Sequence, residues 1–327
     1  MVERIYPVGI QTFSDIIKRG CVYVDKTDLI YKLTKKYKYV FLSRPRRFGK
    51  SLLSTTLHSY FAGEKDLFKG LAIEGLEKDW TEYPVLHFDM STFKNCNLKD
   101  LQSKFNYKLS EYESIWGKNP ESETPGDRFK NLIISAKEQT GKPVIIIIDE
   151  YDAPLLDVLH NEDRLAEIRT VIQEFYAPIK ANDEYIRFTF ITGITKFSQL
   201  SIFSAINNLT NISMDPEFAA ICGITKEELT TTLSQDIELM AEHNGVSKEE
   251  MARMLGYDAV EELVEAIDGK VINTIHPDDR GQVIKDIGSE YYEGLTHETT
   301  YRMPRKDGSW FWTVDKGKVI QTEEGKL

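Results

Sequence analysis

Four residues of this chain have the types and spacing to act on a phosphate: Lys50, Ser51, Asp149 and Glu150. The first two close the stretch Ser43-Arg44-Pro45-Arg46-Arg47-Phe48-Gly49-Lys50-Ser51. It follows the apolar run Tyr39-Val40-Phe41-Leu42, which predicts a short buried strand. It precedes Leu52-Leu53-Ser54-Thr55-Thr56-Leu57, whose apolar spacing predicts a helix. A strand, a loop ending Gly-Lys-Ser and a helix form a phosphate-binding P-loop. The helix start supplies unpaired N–H groups and the positive end of the dipole. Arg44, Pro45, Arg46, Arg47, Phe48, Gly49, Lys50, Ser51 and Leu52 are therefore the expected cradle for ATP. Lys50 would reach the β- and γ-phosphates, and the Ser51 hydroxyl would hold Mg²⁺.

The loop departs from the usual pattern, which opens with glycine where this chain has Arg44. Pro45 removes one N–H from the cradle, and Arg46 and Arg47 add positive charge beside it.

The other two residues end the run Val144-Ile145-Ile146-Ile147-Ile148-Asp149-Glu150. Gly141-Lys142-Pro143 breaks the chain just before it. An unbroken β-branched run bounded by turn residues predicts the central strand of a parallel sheet, buried on both faces. The two carboxylates then fall at the strand's C-terminal end, where open α/β sheets bind ligands. Asp149 is the expected Mg²⁺ ligand with Ser51, and Glu150 the group that polarises attacking water, with Lys50 the second catalytic residue.

Further strands are needed to position these loops. Tyr185 to Gly193 predicts one, with Thr192, Thr195 and Lys196 at its end, either sensing the γ-phosphate or capping the strand. Val85-Leu86-His87-Phe88-Asp89-Met90 predicts another, with Asp89 either at the same sheet edge or capping its loop. Helices are expected over Asp28–Tyr37, over Leu98–Trp116, from Phe129 to Gln139 and from Asp163 to Tyr176, with an irregular helical stretch over Glu64–Trp80. Asp25 or Thr27 is the expected cap before the first of these. The Asp25-Lys26-Thr27 segment lies either near the base or sugar of a nucleotide or in a fold-specific turn. Cys21-Val22-Tyr23-Val24 predicts a further strand, and Leu200–Asn211 a helix or lid-like loop. Ser247 and Glu250 have capping-box spacing. Strands alternating with helices predict an α/β fold, a P-loop NTPase parallel sheet with helices on both faces.

The 327 residues suit two domains. No stretch approaches the ~20 apolar residues of a membrane span, and the N-terminus has no signal-peptide pattern, so a cytoplasmic protein with no membrane partner is expected. Cys21, Cys96 and Cys222 match no metal or redox spacing. The net charge is −11, yet residues 1–60 hold twelve Lys/Arg against four acids. That basic quarter suits an anionic ligand such as a nucleotide, or nucleic acid; Lys32 to Lys38 itself reads as a solvated helix face.

Tyr23-Val24-Asp25-Lys26-Thr27, Arg44-Pro45-Arg46-Arg47-Phe48-Gly49-Lys50-Ser51, Ile148-Asp149-Glu150-Tyr151-Asp152, Thr192-Gly193-Ile194-Thr195-Lys196-Phe197-Ser198 and Asp215-Pro216-Glu217-Phe218 together resemble the bacterial AAA-ATPase-like family, over roughly residues 4–245. The family's own loop lacks the first glycine, so Arg44 agrees with the resemblance. Its members are similar to archaeal-type P-loop ATPases and usually carry a PD-(D/E)XK nuclease-like domain after the ATPase. This chain departs from that pattern: Met254-Leu255-Gly256-Tyr257, Ile275 to Arg280 and Tyr301 to Trp312 look like a PAS sensor domain. Lys306-Asp307-Gly308-Ser309 reads as its hairpin turn. The first two strands and the helix of a PAS fold are missing, so an incomplete α+β region that is marginally stable or leans on the ATPase is expected, with domains at 1–250 and 251–327.

These features lead to an ATP-binding protein that hydrolyses ATP with Mg²⁺. The sequence assigns no arginine finger, so completion of the site within a homo-oligomer is expected. A nucleotide-dependent switch or scaffold signalling through the PAS-like tail is the alternative, and salt-dependent DNA association a third.

Overall fold

The computed structural model describes residues 5–94, 97–156, 158–194, 209–225, 227–228, 231–245, 247, 296–304, 310–318, 321–322 and 325–326. The chain divides into two compact units, Met1–Glu228 and Leu229–Leu327.

In the first unit the elements run α1 (Phe13–Lys18), α2 (Thr27–Lys36), β1 (Tyr39–Ser43), α3 (Lys50–Phe61), α4 (Ala72–Leu76), β2 (Val85–Asp89), α5 (Leu98–Trp116), α6 (Pro125–Thr140), β3 (Val144–Asp149), α7 (Ala153–Leu156), α8 (Glu162–Ala181), β4 (Ile186–Gly193) and β5 (Thr210–Asn211). The strands form one sheet in the order β2-β3-β4-β1-β5, and every pairing is parallel. All six residues of β3 are buried, because the strand has neighbours on both edges and helices on both faces. Its alternation sorts the core. Val144, Ile146 and Ile148 pack with Phe105 and Leu109 of α5, Phe129 of α6 and Phe175 of α8. Ile145 and Ile147 point the other way, to Phe13, Leu33, Leu53 and Leu57 of α1, α2 and α3. This is the expected α/β sheet with helices on both faces.

Helix ends follow local chemistry. The Asn97 side chain accepts the Asp100 N–H at 2.9 Å, and Thr124 accepts that of Asp127 at 3.1 Å. Pro125 follows as the first residue of α6, and Gly141 ends that helix in the left-handed region at φ 68°.

One expected element differs. Cys21–Val24 forms no strand; a single parallel bridge, Ile5 to Cys21, is what the segment makes there. The stretch Glu64–Trp80 is helical and irregular as expected, a 3₁₀ turn at Lys65–Phe68 and the short α4, interrupted at Gly70 with φ 79°. Asp25 and Thr27 explain the join. Asp25 accepts the Thr27 N–H at 2.8 Å and the Ala72 N–H at 2.7 Å, and the Thr27 hydroxyl accepts the Ile73 N–H at 3.0 Å. The pair thus fixes the starts of α2 and α4 together, so the segment is a fold-specific turn.

The basic run at the end of α2 is matched lysine by lysine: Lys32 to Asp28, Lys35 to Glu77, Lys36 to Glu217 and Lys38 to Asp183. Much of the positive excess there is answered within the fold, which leaves little field for a polyanion.

In the second unit α9 spans Ser234–Asn244, and β6 (Thr296–Pro304) pairs antiparallel with β7 (Trp310–Lys318). A further short antiparallel pair joins β8 (Gln321–Thr322) to β9 (Gly325–Lys326). Glu250 of the Ser247–Glu250 box, the Leu200–Asn211 stretch up to residue 208, Thr195, Lys196, the Lys306–Ser309 turn, and the Gly256-Tyr257 and Ile275–Arg280 motifs lie outside the described residues. Among the described residues no helix is long and apolar enough to cross a membrane.

Candidate functional site

Strand β1 delivers its chain to the C-terminal edge of the sheet, and Pro45 to Gly49 there form an exposed loop before α3. Two residues of the loop have left-handed backbone, Arg47 at φ 64° and Gly49 at φ 83°. Glycine tolerates this; an arginine held there is strained, a state that concentrates where backbone is shaped around a ligand. The first turn of α3 offers N–H groups at Lys50, Ser51 and Leu52 with no helical partner. The Leu53 N–H already donates to the Gly49 carbonyl at 3.0 Å.

Lys50 is buried, 6% exposed, and its Nζ donates to the Pro45 carbonyl at 3.0 Å. Its ammonium is thereby folded back over the loop it belongs to. Arg46 and Arg47 are exposed beside it. Arg44 is used differently. Its N–H donates to the Gly193 carbonyl at 3.2 Å and its guanidinium donates to the carbonyls of Ser43 and Ser213. The arginine that replaces the usual glycine is therefore a tie between the loop, β4 and the segment after β5. Phe48 adds a second tie. Its ring lies against Gly223, where a Cβ would stand 3.3 Å from it and the backbone has φ 81°. Neither tie is legible from local sequence, because the partners lie about 170 residues downstream.

The two acids arrive on β3. Asp149 is 3% exposed and lies in register with Asp89 of β2. The Ser51 side chain acts on the Asp149 carboxylate, which links the loop electrostatically to the end of β3. Burial pushes the Asp149 carboxyl up to about 6; Ser51 opposes this, and the charges of Asp89 and Glu150 add to it. Glu150 follows with left-handed backbone, φ 51°, and its N–H donates to Asp149 Oδ1 at 3.0 Å. Its Oε2 lies 3.6 Å from Lys94 Nζ. Lys94 follows β2 in a loop, and no motif marks it.

Asp89 both sits at the shared sheet edge and caps its own loop, accepting the Ser91 N–H at 2.8 Å. Thr192 is fully buried, and its hydroxyl donates to the Leu42 carbonyl at 2.8 Å. That bond joins β4 to β1, so the structure places the hydroxyl inside the sheet rather than with the loop. Gly193, next along, has no room for a side chain: a Cβ would stand 2.5 Å from both the Tyr151 ring and the Asp152 carboxylate.

A raised carboxyl makes a pH prediction. The native Asp149 holds its proton more tightly than the unfolded chain does, so its ionisation opposes folding. The stabilising protonated form is complete below about pH 4 and is lost as pH rises through about 6. Asp149→Asn, by chemical denaturation at pH 4 and pH 7, is expected to remove a stability fall on the order of 2 kcal/mol across that window.

Ser51 and Asp149 are adjacent hard-oxygen donors of the kind Mg²⁺ takes, with the remaining positions left to water and phosphate. Among the described residues no group of three or more His, Cys, Asp or Glu could hold a metal.

An uncharacterized protein of the vnfD 5′ region of Azotobacter chroococcum mcd 1 is 36% identical over 253 residues, covering 75% of this chain; the chain spans about half of that relative, 49%. A solved structure of Drosophila ORC bound to AT-rich DNA and Cdc6 aligns over 92% of this chain and 87% of its own with 10% identity and a TM-score of 0.29, too loose a match to inform the fold. The PAS fold profile matches residues 246–327. The predicted AAA-ATPase profile matches residues 7–203, more than half of the sequence and the part that holds both the loop and the two acids, and the chain belongs to that AAA-ATPase-like family.

Proposed function

We propose that the protein binds ATP with Mg²⁺ at the β1–α3 loop and hydrolyses it. The observation that carries the reading is the electrostatic influence of Ser51, at the start of α3, on the Asp149 carboxylate at the end of β3. Membership of the AAA-ATPase-like family supports nucleotide binding.

The roles follow from the donors present. The N–H groups at the start of α3 bind phosphate oxygens, and the helix dipole favours their charge. Lys50 exchanges the Pro45 carbonyl for a phosphate oxygen, a stronger, charge-assisted bond. Ser51 and Asp149 hold Mg²⁺, which when bound neutralises charge on the β- and γ-oxygens. Glu150, at the mouth of the site, orients water and accepts its proton.

No arginine is assigned to the transferring phosphate. Arg44 is tied to carbonyls, Arg128 is buried against Glu113, and Arg187 donates to the Thr34 carbonyl. Turnover by a homo-oligomer, with a second copy completing the site, is part of the proposal. The test is phosphate release measured against protein concentration, with Mg²⁺ and with excess chelator. Release that needs Mg²⁺ and rises more steeply than protein concentration is expected. Release indifferent to chelator, or absent despite ATP binding, would overturn the hydrolytic reading.

A further inference from the structure

Lys94 takes no part in the proposed chemistry, yet it stands against the one carboxylate assigned to water. Its placement is fixed from several sides. The Met90 N–H donates to the Asp149 carbonyl at 2.9 Å, so the loop after β2 starts from the acidic strand itself. The Ser91 N–H donates to Asp89 Oδ1 at 2.8 Å, and the Phe93 N–H to the Met90 carbonyl at 2.9 Å. Phe93 is 1% exposed and its ring packs on Phe105 of α5, with centroids 5.1 Å apart. Lys104 of α5 donates to the Thr92 carbonyl. A buried aromatic anchor and four hydrogen bonds thus precede the lysine immediately. On the other side, Glu150 is held at φ 51° with its N–H on Asp149. Two constrained backbones bring Lys94 Nζ to 3.6 Å from Glu150 Oε2, with side chains 42% and 24% exposed.

We infer that Lys94 is a positioning residue that restrains turnover: its ion pair holds the Glu150 carboxylate off the attacking water until the pair opens. The inference rests on the proposed role of Glu150. A partly exposed pair of this kind is weak and salt-screened, so it slows the water-activating step without abolishing it.

The test compares the wild-type protein with Lys94→Gln and Lys94→Arg, in MgATP binding and in steady-state phosphate release. Lys94→Gln is expected to raise kcat about two- to fivefold, the range a partly exposed ion pair supplies, with MgATP affinity unchanged. Lys94→Arg, which keeps the charge, is expected to stay near the wild-type rate. Added salt is expected to raise the wild-type rate relative to that of Lys94→Gln, because only the wild type has a pair to screen. A wild type that binds MgATP without turnover, while Lys94→Gln turns over, also supports the inference. Equal or lower kcat in Lys94→Gln overturns it, as does Lys94→Arg behaving like Gln or a parallel salt response in both proteins. Failure of the wild type to bind MgATP overturns the functional reading itself, and this inference with it.

Discussion

Lys50→Ala is expected to weaken ATP binding by about tenfold to a hundredfold, the loss of a hydrogen bond from a charged donor to a charged acceptor. The estimate follows from position. The Lys50 ammonium is buried at the base of an exposed loop and bonded to a single neutral carbonyl, that of Pro45. A phosphate oxygen is a better acceptor than that carbonyl, so binding gains from the exchange. The alanine variant leaves the Pro45 carbonyl at an exposed residue, where water replaces the lost donor, so the fold is expected to persist. Titration with a fluorescent ATP analogue, with circular dichroism as the control, checks both halves. Unchanged affinity in a folded variant would remove the phosphate site from this loop.

Glu150→Gln is expected to separate binding from chemistry. The amide keeps the size and the reach of the side chain but cannot accept a proton from water, so kcat is expected to fall about 10²- to 10⁴-fold. ATP affinity is expected to hold, because the phosphate donors lie on β1–α3 and Mg²⁺ is assigned to Ser51 and Asp149. Single-turnover hydrolysis beside equilibrium binding reads the two quantities independently. A variant that still turns over at the wild-type rate would favour a slow nucleotide switch over an ATPase.

The acids and the lysine were legible because each is carried on a strong local pattern. The β-branched run Val144–Ile148 announces a doubly covered strand, and the structure buries all of it. The long helix from Leu98 to Trp116 keeps the bounds its amphipathic spacing suggests. Cys21–Val24 has the composition of a strand, but a strand needs a partner, and the bridge to Ile5 is what it meets. Glu64–Trp80 has helical residues, but glycine at Gly70 divides it. Composition reports what a segment favours, while pairing and punctuation decide what it becomes. The site was legible to the same depth. Gly-Lys-Ser and Asp-Glu are adjacent residues, so their chemistry is printed locally. The ties of Arg44 to Ser213, of Phe48 to Gly223 and of Lys94 to Glu150 join residues far apart in sequence, and the last pairs an unremarkable surface lysine with a motif acid. Thr192 shows the reverse case. Its place at a strand end suggested either a γ-phosphate contact or a strand-end cap, and its hydroxyl donates to the Leu42 carbonyl of the neighbouring strand.

Strand β4 lies between the strand that leads into the loop and the strand that carries the acids. Neighbouring strands are about 4.8 Å apart, so the two halves of the site spring from backbones roughly 10 Å distant. The intervening strand works as a gauge block. Its last residue bears no side chain, and Tyr151 and Asp152 fold across the place where one would be. A methyl group at Gly193 would wedge the acidic arm away from the loop, so damage to the proposed site has a silent address outside the phosphate loop and the two acids themselves.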